Sequence, residues 1–133
     1  MIFVDTSFWV AVRLSRDEHH KVAIALLEGV SEQRLVTSNH VRGETWTFLR
    51  RRDGHATAVA FLDMLARTSW VDVVSVSEDQ EAQALRWLRR HDEREYSFVD
   101  ATSFALMRSL KIRDSLAFDG DFAAAGFAEL RPG

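Results

Sequence analysis

The 133-residue sequence contains no cysteine, a single proline and no long apolar run. Without cysteine there is neither a disulfide framework nor a thiolate metal site, so any bound metal must be held by oxygen or histidine. The lone proline, Pro132, leaves every interior segment free of a helix-breaking ring. No stretch approaches the roughly 20 apolar residues that span a bilayer. Strand-like residues follow Met1 directly, with no basic segment or signal core ahead of them. A soluble, cytoplasmic protein with no membrane partner is expected. There is also no excess of one charge: 17 Lys and Arg stand against 20 Asp and Glu, a formal net charge of −3. The basic footprint usual in nucleic-acid binders is therefore missing. The figure becomes +2 once five acids, Asp5, Glu44, Asp100, Asp119 and Asp121, are set aside, so bulk charge neither excludes RNA nor proposes it.

What is present is an apolar fraction of 47% in a chain long enough for one well-packed domain over residues 1–133 and too short for two. Ile2-Phe3-Val4 reads as a buried parallel strand, ended by the cap-forming Asp5-Thr6-Ser7. A helix over Ser7–Leu14 follows, then a second with Val22, Ala25, Leu26 and Val30 at helical spacing. Leu35-Val36-Thr37 reads as the second strand. Asn39 is placed as the N-cap of a helix whose face carries Val41, Thr45, Phe48 and Leu49 and which runs out in Arg50-Arg51-Arg52. Beyond Gly54, Ala58, Phe61, Leu62 and Leu65 mark another helix, and Val71–Val76 is β-branched and strand-like. Ser77 caps a helix through Leu88, and the turn His91–Glu95 leads to an apolar helix over Phe98–Leu110. Ser115–Phe118 reads as a fourth strand, Asp121–Ala125 as a helical turn and Ala128–Leu130 as a short edge strand. One to two helices between successive strands, with no repeat or linker, predict a single-domain three-layer α/β/α sandwich on a mostly parallel four- to five-stranded sheet.

Each acid has an ordinary explanation taken singly. Asp5 suits a helix cap, Asp100 suits a capping box with Ser97, Asp119-Gly120 is a turn dipeptide, and Asp121 suits the cap of the turn after it. Glu44 is harder to place, because it falls between Val41 and Phe48 on the stripe its helix is expected to bury. A carboxylate drawn into such an interface must neutralise or find a cation. Topology offers a common reading, since open parallel sheets place their working crevice outside the carboxyl ends of the strands. Asp5 and Asp119 follow strands, Asp100 opens the helix leading into the fourth, and Glu44 reaches in from its own helix. Carboxylates so gathered repel unless a divalent cation sits among them, and an all-oxygen set suits Mg²⁺ or Mn²⁺.

Val4-Asp5-Thr6-Ser7, Glu44 after Thr37-Ser38, Ser97-Phe98-Val99-Asp100-Ala101 and Ala117-Phe118-Asp119-Gly120-Asp121-Phe122 together resemble the successive acidic motifs of PIN-domain nucleases. Length and motif order resemble the VapC-type toxins of type II toxin-antitoxin pairs in particular. The resemblance implies an Mg²⁺-dependent endoribonuclease in which Asp5 and Asp100 are the principal metal ligands, Glu44 and Asp119 complete the acidic cluster, and Ser7 supports the first motif. It also implies an RNA substrate, a cognate VapB-like antitoxin and a homodimer. Ala117 departs from the Thr or Ser frequent two positions before the fourth acid, and both Asp119 and Asp121 stay candidates for that role.

Two other function classes stand beside this one: a PIN-fold binding or regulatory protein with little cleavage, and a phosphatase on a similar sheet. The second would use a paired aspartate motif after the first strand, and position 7 is Ser. Arg50, Arg51, Arg52, Arg86, Arg89, Arg90 and Arg94 are candidates for phosphate contacts, or else for solvated helix faces or salt-bridge partners. His19, His20 and His91 have no placement that demands catalysis. Trp46 and Trp87 are candidates for an interface or for the core.

Overall fold

The computed structural model describes residues 1–133. Strand β1 (Ile2–Val4) is wholly buried, as three apolar residues flanked by other strands must be. It pairs in parallel with β2 (Leu35–Ser38), Phe3 opposite Val36, and with β4 (Asp114–Leu116), Phe3 opposite Ser115. Strands β3 (Val71–Val74) and β5 (Ala128–Glu129) extend the sheet to the order β3-β2-β1-β4-β5, every pairing parallel.

The connections are helical: α1 (Thr6–Arg13) and α2 (His20–Gly29), α3 (Asn39–Asp53) and α4 (His55–Arg67), α5 (Glu78–Arg90) and α6 (Phe98–Leu110), and the short α7 (Asp121–Ala124). Right-handed crossovers put the helices joining β1, β2 and β3 on one face and those leading to β4 and β5 on the other. Aromatic packing follows the same division. Trp9 of α1 meets Phe61 of α4 edge-on at 5.9 Å, whereas Phe3 stacks on Phe122 of α7, itself 5.0 Å from Phe104 of α6. The expected three-layer α/β/α arrangement on a parallel sheet is borne out. No helix is long and apolar enough to cross a membrane.

Element ends differ from the sequence reading for reasons visible in the hydrogen bonds. Ser38, not Asn39, caps α3, its hydroxyl accepting the Val41 N–H at 3.0 Å. Asn39 is engaged elsewhere: its side-chain carbonyl accepts the Val76 N–H at 3.0 Å, which draws that residue out of the strand expected to reach Val76. Strand β4 stops at Leu116, two residues early, because the Phe118 N–H turns to the Ser7 hydroxyl. Gly54 joins α3 to α4 with φ of 97°, a backbone conformation that a side chain would strain.

The sheet order has one reversal of winding, between β1 and β4. Chain leaving β1 winds towards β2, and chain leaving β4 winds the opposite way towards β5. The two connections part at the carboxyl ends of these strands and leave a crevice between them.

Candidate active site

Asp5 leaves β1 directly into this crevice and caps α1. Its Oδ2 accepts the Ser7 N–H at 3.2 Å and the Ser7 hydroxyl at 2.7 Å. The same hydroxyl oxygen accepts the Phe118 N–H at 3.0 Å, tying the end of β1 to the loop after β4. Asp100 does form the capping box with Ser97: its Oδ2 accepts the Ser97 N–H at 3.0 Å, and Ser97 Oγ accepts the Asp100 N–H at 3.0 Å. The cap and the crevice are compatible uses of one side chain, since the box takes one carboxylate oxygen and fixes where the other lies. Asp119 stands at the mouth of the crevice, one carboxylate oxygen accepting the Asp121 N–H at 3.1 Å.

Asp5, Asp100 and Asp119 each place a carboxylate oxygen within 4.8 Å of the other two. None of the three has a lysine, arginine or histidine in ion-pair contact. The electrostatic consequence is a set of carboxyls that resist ionisation. Loss of hydration on burial, followed by repulsion from Asp119, holds Asp5 well above the usual carboxylate range. Burial, with repulsion from Asp119 and Asp121, pushes Asp100 up to about 6. Asp119 is raised by partial removal from water and by the charges of Asp121 and Glu129. Three oxygen donors gathered without a compensating cation are the donor set of a hard divalent ion, and the residues fit Mg²⁺ or Mn²⁺.

Glu44 lines the same crevice, of about 480 Å³, but lies outside the close group of three. Its expected position on a buried stripe is corrected by the structure. The buried face of α3 is Val41, Thr45 and Leu49, whereas Glu44 is half-buried and Phe48 is 36% exposed. Glu44 and Phe48 form a neighbouring stripe one turn apart that faces the crevice, so no carboxylate is forced into an apolar interface. The two neighbouring aspartates also separate. Asp121, expected as a metal ligand alongside Asp119, accepts the Arg94 Nε–H on its Oδ1 at 2.9 Å and is not one of the close group.

The crevice wall also includes Asp17, His19, Phe48 and Phe118, none of which the sequence reading placed at the site. The His19 ring stacks on Phe118 at 4.5 Å and 6°. Phe118 stands beside Asp119 in sequence, a signal that was available; His19 carried none. Of the candidate arginines, Arg51 and Arg52 line a cleft of about 560 Å³ that shares Glu44 and Phe48 with the acid crevice. Arg86 and Arg90 border a separate cavity with Trp87 and Arg108, and Arg94 is held by Asp121. Trp87 is buried in the core and Trp46 packs against it half-buried, so the core reading of both holds.

A parallel sheet wound this way, with three aspartates converging at its switch point, defines the class: the chain belongs to the PIN-domain family, whose match covers residues 2–128. Among curated proteins it is 56% identical over 132 residues, 99% of each chain, to the 23S rRNA-specific endonuclease VapC20 of Mycobacterium tuberculosis strains CDC 1551 and H37Rv. It is also similar to the crystal structure of Mycobacterium tuberculosis VapC20, described as a sarcin-ricin loop cleaving toxin. The TM-score is 0.93 at 55% identity, covering 99% of this chain and 100% of that one. The family resemblance read from the four motifs is borne out, and the relative's name agrees with the expected enzyme class.

Proposed function

We propose that this protein is a divalent-metal-dependent endoribonuclease of the VapC type that cuts the sarcin-ricin loop of 23S rRNA. The observation that carries the reading is the approach of Asp5, Asp100 and Asp119 within 4.8 Å with no cationic side chain among them. The near full-length similarity to a sarcin-ricin loop cleaving toxin supports the choice of RNA. Neutralisation by a VapB-like antitoxin and action as a homodimer belong to the same proposal.

In this reading Asp5, Asp100 and Asp119 would hold Mg²⁺, and Ser7 orients Asp5. A divalent ion held there would supply Lewis-acid chemistry, offsetting the charge that grows on the phosphate oxygens. Glu44, in the crevice wall and outside the close group, accepts a proton from the attacking water. Water oxygen bonds to phosphorus, the bond to the 3′-oxygen breaks, and that oxygen takes up a proton. The products are a 3′-hydroxyl and a 5′-phosphate. The phosphatase alternative gains nothing from the structure, since the residue it needs as a second aspartate is Ser7, whose hydroxyl joins Asp5 to Phe118.

The test is cleavage of a sarcin-ricin hairpin against a scrambled hairpin in Mg²⁺, with end-group mapping of the products. One specific cut, 5′-phosphate ends and loss of cleavage in EDTA are expected. Equal cutting of both hairpins removes the assigned target, and full activity in EDTA removes the metal mechanism.

A further inference from the structure

Phe48 is a large apolar side chain left 36% exposed at the edge of the acid crevice. It lies one helical turn beyond Glu44 on α3, about 6 Å along the helix axis. It lines both the crevice and the adjoining cleft, which Thr47, Arg51 and Arg52 complete. The Arg52 guanidinium sits 4.7 Å from the ring centroid. Neither Arg51 nor Arg52 has a carboxylate partner.

An exposed aromatic ring flanked by unpaired arginines is the combination that holds a nucleotide outside a duplex. The ring takes the face of a base, and the guanidinium groups take phosphates. An arginine resting on an exposed ring is weakly held there and is free to exchange the ring for a phosphate when a base arrives. We infer that Phe48, Arg51 and Arg52 form a subsite that stacks one unpaired RNA base beside the scissile phosphodiester and anchors the phosphates flanking it. The inference rests on the ribonuclease reading and adds to it a requirement: one nucleotide next to the cut must leave its stack. The occupant is RNA rather than a protein segment because the cleft beside the ring offers two free positive charges and opens directly onto the phosphodiester-cleaving acids.

The test is a cycle between Phe48→Ala and single abasic nucleotides placed along a cleavable hairpin. On intact RNA, Phe48→Ala is expected to lower kcat/KM roughly tenfold, mainly through KM, with Phe48→Tyr restoring it. With the stacked base removed at one position, parent and Phe48→Ala become equal there and at no other position. Arg51→Gln and Arg52→Gln each reduce the slope of log affinity against log salt by about 0.7. Equal loss on intact and every abasic substrate, or no loss at all, overturns the subsite. So does unchanged RNA kinetics with weakened antitoxin binding, which assigns the ring to a protein contact. Binding of the same hairpins to Asp5→Asn protein reads stacking without cleavage. Failure of the parent to cut any hairpin therefore counts against the nuclease reading, and equal affinity of the Phe48 variants counts against the subsite alone.

Discussion

Ser7 and Phe118, 111 residues apart in sequence, are joined by a hydrogen bond of 3.0 Å from the Phe118 N–H to the Ser7 hydroxyl, which in turn donates to Asp5 at 2.7 Å. One hydroxyl thus fixes the distance between the first acid and the loop that carries Asp119. Ser7→Ala is expected to destabilise the protein by about 1–3 kcal/mol, because the Phe118 N–H loses its acceptor. It is also expected to lower cleavage about 10- to 100-fold, as loss of a ligand-orienting partner does. Denaturant unfolding and hairpin cleavage check the two effects separately.

Asp5→Asn and Asp100→Asn are expected to reduce cleavage by about 10² or more without loss of fold. Each removes a charge from a cluster that repels itself. Cleavage rates and thermal midpoints, measured on the same preparations in EDTA for the midpoints, decide. Parent-like cleavage by either variant contradicts the proposed roles.

In the metal-free protein stability should depend on pH through these carboxyls. Asp100 titrates near 6 when folded against an ordinary value of 3.8, so the folded state binds its proton more tightly. The resulting stability is fully present below 3.8 and is lost as pH rises through about 6; Asp5, also raised, acts in the same direction. Thermal scans in EDTA should show a lower midpoint at pH 7.5 than at pH 5, with a smaller difference in Asp100→Asn. Mg²⁺ at about 100 times its Kd should restore about 2.7 kcal/mol at the higher pH. A midpoint at pH 7.5 that ignores Mg²⁺ would count against a metal among the three acids.

Asp119 and Asp121 should behave differently when neutralised. Asp119→Asn removes a member of the close group and is expected to cost cleavage about as much as Asp5→Asn. Asp121→Asn releases Arg94 and is expected to leave most of the activity. Side-by-side rates on one hairpin read the difference.

Phe104 touches Trp87, Tyr96, Phe122 and Phe127 and joins α5, α6 and α7 into one layer. Phe104→Ala should destabilise by about 3–5 kcal/mol, read from denaturant midpoints at unchanged slope.

Much of the fold was legible because the apolar residues carry it: Ile2–Val4 and Leu35–Thr37 read as buried strands, and the helices showed their spacing. The ends were less so, since Asn39 and Ser7 make hydrogen bonds to residues 37 and 111 positions away, and no local pattern reports those. In the site, Asp5 and Asp100 each perform the ordinary capping task their sequence context suggests and also face the crevice, so either reading alone was incomplete. Glu44 was misread because the stripe was drawn through Phe48. The true buried face, Val41-Thr45-Leu49, is narrower, and a helix beside a crevice need not bury its flank. What sets Asp119 and Asp121 apart in the structure is Arg94, 27 residues from Asp121, whose partner no spacing rule names.

The placement of β1 between β2 and β4 also sets when during synthesis the site can exist. A nascent chain that has emerged only through α6 already contains Asp5, Glu44 and Asp100, yet one edge of β1 is still bare, the Ser7 hydroxyl lacks Phe118, and Asp119 is absent. The group of three acids is therefore incomplete until almost the whole polypeptide has been made. A fragment truncated before β4 lacks both the second neighbour of β1 and the third acid.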